Sequence, residues 1–190
     1  MRKTFRPALV VFALLTLLTG IVYPAIIGAI GALAFPGKAR GSIVERDGKA
    51  VGSLLIGQSF SDPKHFWSRP SATAPGPNNA TASGGSNQGP SNPALVDAVK
   101  GRVEALRSAD PDNKAPVPID LVTASGSGLD PEISVAAARY QAGRIARAHG
   151  VPVERVDALI AAHAKGPVLG FLGEPRVNVL ALNLALDSIR

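Results

Sequence analysis

PALVVFALLTLLTGIVYPAIIGAIGALAF, from Pro7 to Phe35, sets the architecture of this chain. It holds no charged residue and is rich in Leu, Val, Ile, Ala and Gly. As a helix it would reach ~43 Å at a rise of ~1.5 Å per residue. A bilayer core needs only about 20 apolar residues. A soluble helix keeps one polar face. This stretch has none, so it reads as one membrane-spanning helix with spare length for tilt or an interfacial end. Pro24, after Gly20 and Tyr23, is expected to kink the helix or to mark the interface.

The flanks set the orientation. Arg2, Lys3 and Arg6 precede the span; Lys38 and Arg40 follow it, with Glu45 and Asp47 soon after. The basic excess favours a cytoplasmic amino end. The chain then divides into a cytoplasmic terminus 1–6, a transmembrane helix 7–35 and a domain 36–190 outside the cytoplasm. A cleaved signal peptide competes with this reading, because Ala32-Leu33-Ala34 fits the A-x-A pattern. Its apolar region would be about 7–15 residues, much shorter than this one.

The sequence pI of about 10.1 invites a nucleic-acid reading. Five of the 20 basic residues flank the apolar stretch, however, and from Gly41 onward 15 basic residues face 14 acidic ones. A nucleic-acid binder shows a basic patch or stripe; here the charges alternate, which excludes that class. The chain has no cysteine, hence no disulfide framework and no thiolate metal site. An outer part of this length suffices for one ordinary core. The expected class is α+β: the transmembrane helix, then a short sheet with about four helices.

Along that outer part, Ser42 to Gln58 reads as a hairpin turning at Asp47-Gly48. Its second strand, Val51 to Ile56, is apolar enough to be covered on both faces. Ser59 to Ser91 reads as a long loop, functional or disordered at that length, with Phe66-Trp67 and Arg69 anchoring its start. Asn92-Pro93 opens a helix with Leu95, Val96, Val99, Val103 and Leu106 on one stripe, ending at Asp110-Pro111. Ile119 to Thr123 reads as a short strand. Asp130-Pro131-Glu132 opens a second helix that Gly150 stops. On it Ala137, Ala138, Ala142, Ile145 and Ala148 share an arc with Gln141, while Arg139, Arg144 and Arg147 fall on the opposite, solvated side. Pro152 starts a third helix with Val156, Leu159 and Ile160 inward, and Gly166 to Gly173 is a glycine-punctuated connector. Pro175 to Ile189 reads as a helix from its Ala/Leu content, although Leu180, Leu182, Leu184 and Leu186 alternate as a strand would. No internal repeat is visible.

Two features carry possible chemistry. Ser83-Gly84-Gly85-Ser86-Asn87, shortly before a helix amino end, offers free backbone amides to an anion or a partner's edge. The plainer reading is a tight glycine loop. Gln141 lies in an apolar arc and must find hydrogen-bond partners if buried: either a neighbouring backbone, or a ligand or partner subunit. No Walker loop is present. His65, His149 and His163 have no paired carboxylate at metal-ligand spacing, and no serine stands in a nucleophile elbow. The residues therefore name no catalytic set and no bound metal. A membrane-anchored serine hydrolase using a serine of the long loop, or a ligand-binding module, remain the rival classes.

The chain resembles the C-subunit family of the bacterial Kdp potassium-transporting ATPases over its whole length. The blocks that carry this are Gly57-Gln58-Ser59-Phe60, Phe66-Trp67-Ser68-Arg69-Pro70-Ser71, Ala82-Ser83-Gly84-Gly85-Ser86-Asn87, Gly89-Pro90-Ser91-Asn92-Pro93, Thr123-Ala124-Ser125-Gly126-Ser127-Gly128-Leu129-Asp130-Pro131, Ala137-Ala138-Arg139-Tyr140-Gln141 and Gly173-Glu174-Pro175-Arg176-Val177-Asn178-Val179-Leu180. His65 and Gln88 stand where Tyr and Leu are expected. The resemblance implies a single-pass protein of the bacterial inner (plasma) membrane. Its implied partners are a potassium-channel-like A subunit, a P-type ATPase B subunit and a small accessory subunit. The implied role is a catalytic chaperone that raises the pump subunit's affinity for ATP. ATP thus enters through the complex. With the domain outside, direct contact of cytoplasmic ATP with Ser83–Asn87 or Gln141 is not expected, and the coupling would be indirect.

Overall fold

The apolar stretch is helical from Pro7 to Ala34. A computed structural model describes residues 2–189 and divides the chain into two units, one up to Ala50 and one from Val51. In the first, α1 (Arg2–Leu17) runs into a π turn at Leu18–Val22 and on into α2 (Tyr23–Ala34). The Tyr23 amide donates to the Leu18 carbonyl five residues back. A proline ring clashes with the carbonyl four residues earlier, and a one-turn widening relieves such a clash without breaking the helix. The expected effect of Pro24 therefore takes the form of a π turn. Within the 31 residues Thr4–Ala34 an 18-residue window reaches a mean hydropathy of 2.4, and the helix is long and apolar enough to cross a membrane. Helical geometry starts at Arg2, ahead of the apolar run, where Arg2, Lys3 and Arg6 are good helix formers, and it continues through Pro7 inside the helix. Phe35 and Pro36 end the long helix, and α3 (Pro36–Ala39) is a single turn.

β1 (Ile43–Arg46) and β2 (Lys49–Ser53) form the expected hairpin. Asp47 and Gly48 both have positive φ, 53° and 73°, as the favoured two-residue turn requires. β2 stops at Ser53, and Leu54 and Leu55 are exposed, so the double-sided burial expected for Val51–Ile56 does not occur. The strand pairs only with β1, and a two-stranded ribbon has nothing to cover its second face.

In the second unit, α4 (Pro93–Ala109), α5 (Val135–His149), α6 (Val153–His163) and α7 (Val179–Leu186) accompany an antiparallel sheet of order β3-β5-β4. The strands are β3 (Glu132–Ser134), β4 (Ala164–Lys165) and β5 (Arg176–Asn178). Ile133 lies opposite Val177, which also faces Ala164, and these join Phe66, Ile145, Val156, Ile160, Leu182 and Leu186 in the core. Asn92 caps α4 through Ala94 N, and Gly150, with φ of 65°, closes α5, both as their residue types predict.

Three expectations change here. Asp130-Pro131-Glu132 opens a strand rather than a helix; the true cap is Ser134, whose Oγ accepts from Ala137 N at 3.0 Å. Ile119–Thr123 forms a 3-10 turn, not a strand. No edge is open to it: Asp120 Oδ2 accepts from Ser134 N (2.7 Å) and Asp130 Oδ1 from Glu132 N (3.0 Å), so two carboxylates occupy the outer amides of β3. Pro175–Ile189 is helical from Val179 to Leu186, so the alternating leucines lie on a helix as their Ala/Leu context favours, but Arg176–Asn178 ahead of it is a strand that the helix reading does not include. A short internal repeat also emerges. Asp130-Pro131-Glu132-Ile133-Ser134-Val135 and Glu174-Pro175-Arg176-Val177-Asn178-Val179 each run acid, proline, three-residue strand, cap, helix. They pair across a local pseudo-twofold, with Val179 N donating to Pro131 O (3.0 Å) and Val135 N to Pro175 O (3.4 Å). Ser134→Ala should cost about 1–2 kcal/mol in chemical denaturation of the full chain, and Asn92→Ala, at an exposed cap, about half as much. Ser134 also donates to Asp120 (3.2 Å), so its loss is the larger.

Candidate functional site

α5 and α7 each present one carboxamide to the same extended segment. Gln141 on α5 is 1% exposed. Its Oε1 accepts from Trp67 N at 2.8 Å, and its Nε2 donates to Trp67 O at 3.2 Å and to Ala137 O at 3.3 Å. Asn183 on α7 repeats this one residue earlier: Oδ1 accepts from Phe66 N (2.8 Å) and Nδ2 donates to Phe66 O (3.0 Å). The two amides act as substitute strand partners for Phe66-Trp67, a segment that no β-ladder holds. Phe66 itself is fully buried.

Arg144 completes the clamp. It is 5% exposed, not on a solvated face as its place among the α5 arginines suggested. Its guanidinium donates to the carbonyls of Pro63 and His65 and to Gln141 Oε1, and lies 4.8 Å over the Trp67 ring. Burial pulls its pKa down to about 10, which leaves it charged at neutral pH. Arg139 is exposed, Arg147 pairs with Asp110, and Ala148, expected inward, is exposed. In the sequence Asn183 is masked by the leucine alternation around it. A lone amide in an Ala/Leu run is the same signal that singled out Gln141.

The glycine loop docks elsewhere. Gly84 N donates to Ser127 O at 2.8 Å and Ser83 Oγ to the same carbonyl at 3.1 Å. A Cβ on Gly85 would come within 3.2 Å of Gly126 O, and one on Gly128, whose φ is 67°, within 2.7 Å of Gly84 O. Close approach of two backbones thus accounts for these glycines without a ligand. Ser86 and Asn87 stay exposed. No hydrogen bond joins this loop to Gln141; the segment between them runs from Trp67 to Ser71, whose Oγ donates to Gly128 O at 2.6 Å.

Beside β3 lies a groove of about 450 Å³ lined by Arg69, Asp120, Asp130, Glu132, Glu174 and Arg176 among others. Most of these charges are spent internally: Arg69 on Asp130 (3.0 Å), Arg176 on Glu132 (2.7 Å), Asp120 on Ser134. The histidines bond Asp187, Lys64 O and Leu159 O, and no serine–histidine hydrogen bond occurs among the described residues. Nor do three or more His, Asp or Glu there form a group that could hold a metal. The arrangement holds chain segments in place: Gln141, Asn183 and Arg144 are directed at the backbone of residues 63–67, and the arginines of the groove at its carboxylates.

Residues 5–188 match the family described as KdpC, the K+-transporting ATPase c chain. The chain is 67% identical over 189 residues to a potassium-transporting ATPase KdpC subunit of Variovorax paradoxus (strain S110), covering 99% of this chain and 97% of that one. It is 65% identical over 188 residues to the KdpC subunit of Janthinobacterium sp. (strain Marseille), covering 99% and 100%. With that of Methylococcus capsulatus the identity is 60% over 186 residues, covering 98% of each.

Proposed function

This chain belongs to the KdpC family of K+-transporting ATPase c chains, and from that premise we propose a non-catalytic subunit that acts on its pump indirectly. The long apolar helix anchors it in the inner membrane with the amino end in the cytoplasm, as the Arg2, Lys3 and Arg6 flank favours. The folded domain then lies outside, where it holds a channel-like potassium subunit beside a P-type ATPase subunit and a small accessory subunit. Its chaperone effect on ATP affinity follows if it binds one pump state better than another, since differential affinity alone sets such a shift.

The observation that carries the indirect reading is the full engagement of Gln141. All its hydrogen-bonding capacity toward Trp67, Ala137 and Arg144 is used inside the fold, leaving nothing to offer a nucleotide. The amide of Gly84 is likewise taken. ATP titrated calorimetrically into the purified full-length chain in detergent should give no saturable heat in the micromolar range. Saturable micromolar binding lost on substituting Ser86 or Asn87 would replace the indirect account with direct contact. Protease accessibility of a tag after Arg190 in intact cells tests the orientation: digestion from outside is expected.

A further inference from the structure

The segment from Gly166 to Gly173, by its glycines a mere connector, is the end of a hairpin. β4 and β5 pair at Ala164–Val177 and Lys165–Arg176, and a second bridge pairs Val168 with Leu172 further out. Val168 N and Leu172 N each donate to the other's carbonyl at 2.9 Å, and Gly170 N to Pro167 O at 3.1 Å. The turn needs positive φ at Leu169 (55°) and Gly170 (82°). Leucine rarely adopts that conformation. The result presents four apolar side chains to solvent: Val168 is 54% exposed, Leu169 79%, Phe171 73% and Leu172 51%. Backbone held in an uncommon conformation in order to expose apolar groups points to a contact outside the chain.

Its surroundings choose among occupants. Lys165 and Arg176 are both committed to Glu132, at 3.5 and 2.7 Å. Among the described residues, the exposed, unpaired charge next to the tip is the carboxylate of Glu174. An anionic lipid surface wants free basic flanks, so lipid fits poorly. Four side chains are also too few for a free-standing interface, which needs roughly 1,200 Å² or more. They suffice as an anchor within an assembly whose members are already confined to one membrane. We propose that residues 167–172 dock into an apolar pocket, with a basic group at its rim facing Glu174, on a neighbouring subunit of the K+-transporting ATPase. This rests on the subunit reading above.

The test uses the full-length chain in cells that make the whole complex. With photo-reactive benzoylphenylalanine in place of Phe171, irradiation should give an adduct with another subunit. An adduct only with lipid or with a second copy, or no adduct, overturns the proposal. Leu169→Asp combined with Phe171→Asp should lower retention of the chain in the detergent-purified complex about tenfold or more, with its melting temperature unchanged because neither side chain is in the core. Retention equal to wild type overturns the docking while leaving the subunit reading intact; a wild-type chain that never co-purifies would remove that reading instead.

Discussion

Gln141→Ala is expected to destabilise the domain by about 2–4 kcal/mol, because it strands a buried backbone donor and acceptor at Trp67 and takes an acceptor from Arg144. A loss of that size lowers the melting temperature by roughly 5–15 °C in a chain of this length. Trp67 is the only tryptophan and sits against the substituted side chain, so its fluorescence reports the transition directly. Asn183→Ala should cost a similar amount at Phe66, and the double variant should cost less than the sum, since both amides hold one segment. Were Gln141 instead kept for a ligand, the alanine variant would melt at the wild-type temperature.

Arg144→Met should cost about 3 kcal/mol. Methionine keeps the buried stem but leaves the Pro63 and His65 carbonyls without a donor and takes one of the two donors from Gln141 Oε1, and it removes the cation over the Trp67 ring. Arg144→Lys should recover less than half of this, because one ammonium does not span three acceptors that suit a planar fork. Trp67 emission is expected to shift in both variants. The pH dependence has a definite sign. A folded-state pKa lowered to about 10 means that burial penalises the charged form at every pH below that value, with relief only as pH rises through and beyond it. Arg144 therefore adds no slope to stability across neutral pH. A midpoint that moved between pH 6 and 8 in the wild type but not in Arg144→Met would contradict this.

The Phe66-Trp67 segment shows how sequence and structure divide the work. Gln141 was legible as an anomaly, a polar residue in an apolar arc, but its partner was not: Trp67 lies 74 residues away in the chain. Asn183 and Arg144 carry the same role and were obscured by stronger local patterns, a leucine alternation and an arginine-rich face. Ser83-Gly84-Gly85 was legible as a tight glycine loop; that it lies against the backbone at Gly126 and Gly128 required the fold.

Local sequence is enough for the long apolar helix, the Asp47-Gly48 hairpin and the Asn92 and Gly150 helix ends. Each rests on interactions within a few residues, where periodicity, caps and positive-φ positions are decisive. Long-range packing is what makes Glu132–Ser134 and Arg176–Asn178 strands, keeps Ile119–Thr123 from being one, and exposes the turn at Leu169. A three-residue strand has too little local preference of its own. It exists because another strand supplies its hydrogen bonds, and that partner is set by the packing of the whole domain.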